Sequence, residues 1–122
     1  MPQLRPLDPN FPITRQLTVT ASPAVLVNIF TVDAADADTL LKTWENDALW
    51  MKQQPGFVST QLHRAIGDSY MFLNYAVWES VDHFRQAFTH PDFQSAIAAY
   101  PSSSVVSPHL FQKMTVANLC VA

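Results

Sequence analysis

An α+β fold, with two helices laid on one face of an antiparallel sheet, is the architecture this sequence predicts, on three observations. Stretches with strand-like and helix-like periodicity alternate in the order β-α-β-β-α-β. A tight turn around Gly67-Asp68-Ser69 joins the two middle strands into a hairpin. The length, 122 residues, suits a single core rather than several domains. This order is the split, ferredoxin-like unit.

The elements follow in turn. Residues 1–23 form a Pro-rich leader, with Pro2, Pro6, Pro9, Pro12 and Pro23. Proline lacks an amide donor and disfavours helix, so an extended or mobile arm is expected there. The alternation of Leu17 and Val19 with polar residues suggests an edge strand over Thr14–Thr20. The domain proper is expected over residues 24–122. Ala24–Val32 reads as the first strand, with Val25, Val27 and Ile29 on one face and Leu26, Asn28 and Phe30 on the other. Asp33 or Asp36 is placed to cap a helix in which Ala37, Leu40, Leu41, Trp44, Ala48 and Met51 form an apolar stripe, ending before Pro55-Gly56. Phe57–Ile66 and Tyr70–Glu79 are the hairpin strands. Ser80 caps a second helix carrying Val81, Phe84 and Phe88, broken at His90-Pro91. A further turn sets Phe93, Ile97 and Tyr100 on one side before Pro101. Ser102–Pro108 is expected as a polar loop and His109–Leu119 as the last strand.

Composition narrows the function. Net charge is −3, without a cluster of Lys or Arg, which disfavours a nucleic-acid partner. No apolar run reaches the roughly 20 residues that span a bilayer, and the leader has no apolar signal core. A single cysteine, Cys120, excludes an internal disulfide and a Cys-based zinc site, and a reducing cytoplasm is the expected location. Its neighbours offer no basic group, so Cys120 reads as a small terminal hydrophobe. Charged residues are only 14% of the chain, against about 25% in a typical domain. Either part of the surface is covered by a partner or an apolar cavity is lined from inside. Helices cover one sheet face. The other carries Val25, Val27 and Ile29 with either Met71-Leu73-Tyr75-Val77 or Tyr70-Phe72-Ala76-Trp78, apolar in both cases. An exposed patch of that kind predicts a homodimer joined sheet to sheet.

Three strand residues carry polar groups where apolar ones are cheaper. Asn28 lies on the first strand, and Asn74 and Trp78 share a face of the third. These strands are adjacent and central in the predicted topology. A buried amide without partners costs about 1–3 kcal/mol, so two of them side by side point to a ligand, a water or a specific network, and the indole N–H of Trp78 has the same need.

At these residues the chain resembles the antibiotic biosynthesis monooxygenase (ABM) family, over about three quarters of its length, from Ala24 to Met114. The resemblance is carried by Gln54-Pro55-Gly56-Phe57, Gln61-Leu62-His63-Arg64, Asn74-Tyr75-Ala76-Val77-Trp78-Glu79-Ser80 and Phe84-Arg85-Gln86-Ala87-Phe88. The Pro-Gly-Phe and Trp-Glu-Ser stretches are common to dimeric α+β barrels. Asn74 with Trp78 four positions on, plus Asn28, resembles the cofactor-independent oxygenases that turn anthrone or naphthacenone intermediates of aromatic polyketides into quinones. The resemblance implies a site between sheet and helices, with Asn28, Asn74 and Trp78 catalytic, dioxygen as co-substrate, and neither flavin nor metal. An anthrone that loses a proton becomes an electron-rich enolate able to reduce dioxygen itself. The two amides would stabilise its oxyanion in a dry pocket, and Trp78 would hold the flat substrate and donate to a peroxide. Trp44, Met51, Phe72, Phe88 and Phe93 are candidates to line the pocket. Trp50, off the helix stripe, is expected to meet the leader or a partner subunit.

Departures leave the proton-transfer group unassigned. Some relatives place a Tyr where this chain has Phe84, and an Arg on the next helix where it has Ala or Ile. His63, His83 and Tyr100 are the candidates by proximity. Heme degradation on the same fold uses a helix His at the position aligned with Ile97, which argues against it. A polyketide cyclase or isomerase, and a non-catalytic ligand-binding dimer whose two Asn satisfy each other, are the alternatives.

Overall fold

Chain order runs β1 (Gln3–Leu4), α1 (Ile13–Gln16), β2 (Ala24–Thr31), a 3-10 turn (Ala34–Asp36), α2 (Ala37–Met51), β3 (Phe57–Arg64), β4 (Met71–Trp78), α3 (Val81–Phe88), α4 (Pro91–Ala96), a second 3-10 turn (Ile97–Ala99) and β5 (Val105–Phe111) in the computed structural model, which describes residues 1–122. The strands stand in the order β1-β5-β2-β4-β3. All neighbours are antiparallel except β1 and β5. The ferredoxin-like α+β fold is therefore present, with the short β1 added at one edge.

Strand parity settles which face is which. Leu26, Phe30, Phe72, Ala76 and Trp78 are buried, and Asn28 stands opposite Asn74 between them in the register of β2 and β4. Two apolar clusters fill the layer beneath the helices. One joins Leu26, Ala76 and Trp78 to Val81, Phe84 and Ala87 of α3. The other joins Phe30 and Phe72 to Leu40 of α2 and to Tyr100. Each large side chain buried this way contributes about 1.5–3 kcal/mol. Of the two parities open for β4, Met71-Leu73-Tyr75-Val77 faces away from the helices, and Met71 and Tyr75 are each 41% exposed there.

Capping follows the sequence in part. Ser80 Oγ accepts from His83 N at 3.1 Å and starts α3. His90 accepts from Asp92 N and starts α4, with Pro91 in the first turn. Asp33 and Asp36 occupy cap positions, but neither side chain caps. Asp36 Oδ2 instead accepts from Ser103 Oγ at 2.7 Å, and Asp33 N donates to the same hydroxyl. The start of the helical segment is thereby tied to the chain entering β5.

Two strand expectations are corrected. The last strand is Val105–Phe111, not His109–Leu119, so most of the expected polar loop is strand. Pro108 masked it. Proline is tolerated there because β1 pairs only as far as Val106, leaving β5 an outer strand at Pro108. Residues beyond Phe111 form a turn with a single bridge between Val116 and Cys120. The expected edge strand over Thr14–Thr20 is also absent. Ile13–Gln16 is a helical turn, because Ile13 and Leu17, four apart, both enter the α3 cluster.

Gln16 does the work a strand would have done at that edge. Only 4% exposed, it accepts from Leu110 N through Oε1 at 2.7 Å, donates to Phe11 O at 2.7 Å, and meets His109 Nδ1 at 3.0 Å. Replacing it leaves Leu110 N and Phe11 O without partners at a buried seam. Gln16→Leu is expected to lower the unfolding free energy by about 1–3 kcal/mol, read by urea denaturation as a lower midpoint at unchanged slope.

Candidate active site

Between sheet and helices lie two adjoining chambers that share lining residues. The inner chamber, about 70 Å³, has Leu26, Asn28 and Phe30 of β2 and Asn74 of β4 as its floor, and Trp44, Asp47 and Met51 of α2 across from them. Phe84, Phe88 and Phe93 close one side. The outer chamber, about 340 Å³, shares Asn28, Phe30, Phe88, Phe93, Tyr100 and Pro108 with the inner one. Pro2, Leu4, Ile13 and Thr14 of the leader border it. The outer chamber is thus shaped partly by a segment that composition alone reads as an arm.

The two asparagines are held differently. Thr60 Oγ1, on β3, donates to Asn74 Oδ1 at 2.5 Å. With its carbonyl so engaged, Asn74 keeps its Nδ2 hydrogens for the chamber it lines. Asn28 faces the same chamber, and its Oδ1 is buried without a hydrogen-bond partner. The two side chains therefore do not satisfy each other, as the ligand-binding alternative required. Thr60 could have been suspected only from strand register, since a lone Thr on a strand carries no signal.

Asp47 is the residue that sequence reasoning missed. It is 8% exposed, and its Oδ2 is buried and unpartnered. Only three side-chain polar atoms in the protein share that condition, and two of them, on Asn28 and Asp47, face each other's chamber. The signal was present: Asp47 follows Trp44 by three and precedes Met51 by four, which puts a carboxylate on the apolar stripe of α2. Burial pushes its carboxyl up to about 6, and the neighbouring Tyr100 hydroxyl partly opposes this. The Tyr100 phenol is raised too, first by burial and then by the Asp47 charge. Because the folded value lies above the ordinary 3.8, the unfolded chain releases this proton first as pH rises. The contribution to stability is full below 3.8 and is lost as pH climbs through about 6.

Of the other expected site residues, Trp44, Met51, Phe88 and Phe93 line the chamber. Trp78 and Phe72 do not. Trp78 is 1% exposed, packed edge-on between Phe57 and Phe84, so Phe84 stands between the indole and the chamber. Phe72 lies in the cluster under Leu40. Among the proton-transfer candidates, only Tyr100 arrives. His63 is exposed on β3 and His83 bonds to Ser80 Oγ at the start of α3. Ile97 borders the outer chamber as an apolar wall. Trp50 packs on His90 and Phe93 at the α4 end and against the cluster that holds Ile13 and Leu17 of the leader. No three His, Cys, Asp or Glu side chains come together as a metal set.

Paired amides on central strands, facing an apolar chamber roofed by helices, are the features that the sequence resemblance associated with oxygenases. Residues 23–99 match the antibiotic biosynthesis monooxygenase family, and the chain belongs to it. β1 and α1 precede the match. Deoxynogalonate monooxygenase of Streptomyces nogalater is 32% identical over 93 residues, covering 76% of this chain and 78% of that enzyme. The crystal structure of SnoaB, a cofactor-independent oxygenase from Streptomyces nogalater, aligns with a TM-score of 0.71 at 28% identity, covering 80% of this chain and 99% of SnoaB. No helix is long and apolar enough to cross a membrane.

Proposed function

We propose that the protein is a cofactor-independent monooxygenase that oxidises an anthrone-type aromatic polyketide intermediate to a quinone with dioxygen, by way of the substrate enolate. The observation that carries this reading is the orientation of Asn74, its carbonyl held by Thr60 and its N–H group left for the chamber opposite Asn28. The Asn74 amide, fixed on a rigid central strand with Asn28 opposite it, is a preorganised donor for an oxyanion in an apolar surround, where such donors count most. The inner and outer chambers together fall within the lower part of the range of about 300–1,000 Å³ usual for small-molecule sites, and aromatic walls suit a flat ring system.

The chemistry balances without a further redox partner. Removal of one methylene proton from the anthrone gives the enolate, whose oxygen lies against Asn28 and Asn74. The enolate gives an electron to dioxygen, and the resulting pair couples, forming a C–O bond and a peroxide. The peroxide takes up a proton, the second methylene proton leaves, the O–O bond breaks, and water departs from the new carbonyl. Trp78 acts in this scheme as a positioning residue, fixing Phe84 at the chamber wall. The SnoaB likeness supports oxygen chemistry without a cofactor. The uncovered sheet face with Met71, Tyr75 and Phe111 supports a homodimer joined there.

The test is oxygen uptake with anthrone as probe. Equimolar consumption of dioxygen and formation of anthraquinone, at a rate unchanged by added chelator or flavin, is the expected result. Turnover of a cyclisation substrate with no oxygen uptake would replace this reading with the cyclase.

A further inference from the structure

Enolate formation needs a base, and the amides that hold the enolate cannot supply one. Building on the oxygenase reading, we infer that Asp47 is the proton-transfer residue of the site: its carboxylate takes the methylene proton of the substrate and returns it to the peroxide. Geometry carries this. Asp47 hangs from α2 into the inner chamber, across from Asn28 and Asn74 on the sheet. A planar substrate whose oxygen meets the amides has its ring system between floor and roof. Asp47 Oδ2 is buried with no protein partner, leaving a lone pair for the substrate. A buried carboxylate with an unengaged oxygen is costly to keep.

The surroundings set its strength. Tyr100 is the one other titratable side chain of the chamber, and the residues that β2, β4, β5, α3 and α4 present there are apolar or amide. Burial raises the carboxyl to about 6, which makes it a stronger base than an exposed carboxylate yet mostly ionised at neutral pH. Tyr100, whose hydroxyl faces the same chamber, is held in the protonated form and moderates that rise. In the balanced sequence the C–H bond breaks as an O–H bond forms on Asp47 and the electron pair enters the ring. The same proton later passes to the peroxide oxygen, and the carboxylate is regenerated.

Anaerobic exchange separates this step from oxidation. With anthrone in deuterated buffer and no oxygen, the wild-type protein should exchange the methylene hydrogens. Asp47→Asn should lose exchange and oxidation about 100-fold or more while binding anthrone with unchanged Kd and melting no lower than wild type at neutral pH. The wild-type kcat/KM should fall as pH drops below about 6. That limb should be absent in Asp47→Asn and move to higher pH in Tyr100→Phe, which removes the hydroxyl that lowers the carboxyl. Wild-type exchange in Asp47→Asn, or an acidic limb that survives in it, would overturn the assignment. Exchange by the wild type without oxygen uptake would support Asp47 while overturning the oxygenase reading. A wild type that neither exchanges nor oxidises anthrone would overturn both.

Discussion

Replacing Asn74 by Ala is expected to cut kcat for anthrone oxidation by about 100- to 1,000-fold, the usual cost of one preorganised oxyanion donor, with the fold intact. Asn74 sits on β4 between Phe72 and Ala76, and truncation there removes no large apolar contact. Stopped-flow absorbance of the quinone measures the effect, and circular dichroism with thermal melting checks the fold. Two further variants give the result its meaning. Thr60→Val leaves the amide in place but frees its carbonyl to turn, so the loss should be smaller than for Asn74→Ala and still mainly in kcat. Trp78→Phe disturbs the packing behind Phe84 and should act more on KM than on kcat. Wild-type kcat in Asn74→Ala would remove the amide from the chemistry, and a loss in Trp78→Phe as large as in Asn74→Ala would mean that the indole reaches the substrate.

The largest effect on stability is expected at Gly56. It turns the chain into β3 with φ at +85°, and a Cβ placed there would lie 2.3 Å from Cγ of His83. An L side chain at such a φ costs about 1–2 kcal/mol, and overpacking adds about 1–3 kcal/mol. His83 cannot swing away cheaply, because its ring bonds to Ser80 Oγ and its N–H completes the cap of α3. Gly56→Ala should therefore lose about 2–5 kcal/mol, a fall of roughly 10 °C or more in Tm. Adding His83→Ala relieves the clash but not the backbone strain, so the double variant should recover only part of the loss. A Tm for Gly56→Ala within about 2 °C of wild type would show that the turn relaxes without cost.

Most of the fold was legible because its signals are local. The α2 boundaries follow from a stripe of apolar side chains and a Pro-Gly stop, and Ser80 announces α3 through its own hydroxyl. Periodicity failed where a distant contact outweighed a local one. The alternation around Leu17 reads as strand, but Ile13 and Leu17 bury themselves only if the chain coils there, and Gln16 then satisfies the open edge of β5 from its side chain. Pro108 reads as a loop residue, yet on an outer strand its missing N–H costs little. Within the site, Asn28 and Asn74 stood out because an amide in an apolar strand asks for a partner. Asp47 has an equal claim by spacing on α2, but a helix stripe is marked by its apolar members, and a single carboxylate beside them gives no sign of burial until the facing layer is in place.

The sequence by itself determined the element order, the pairing of β2 with β4, and hence that the two amides would stand side by side. Those are consequences of alternation and register, which act between near neighbours and leave a mark in composition. Only the tertiary structure decided what faces the amides from across the layer. Thr60 turns Asn74 toward the chamber, Phe84 shuts Trp78 out of it, and α2 lowers Asp47 into it. The leader curls back to border the outer chamber. Each of these depends on how far one layer sits from the next, a quantity fixed by the volumes of many packed side chains together and carried by no single position in the chain.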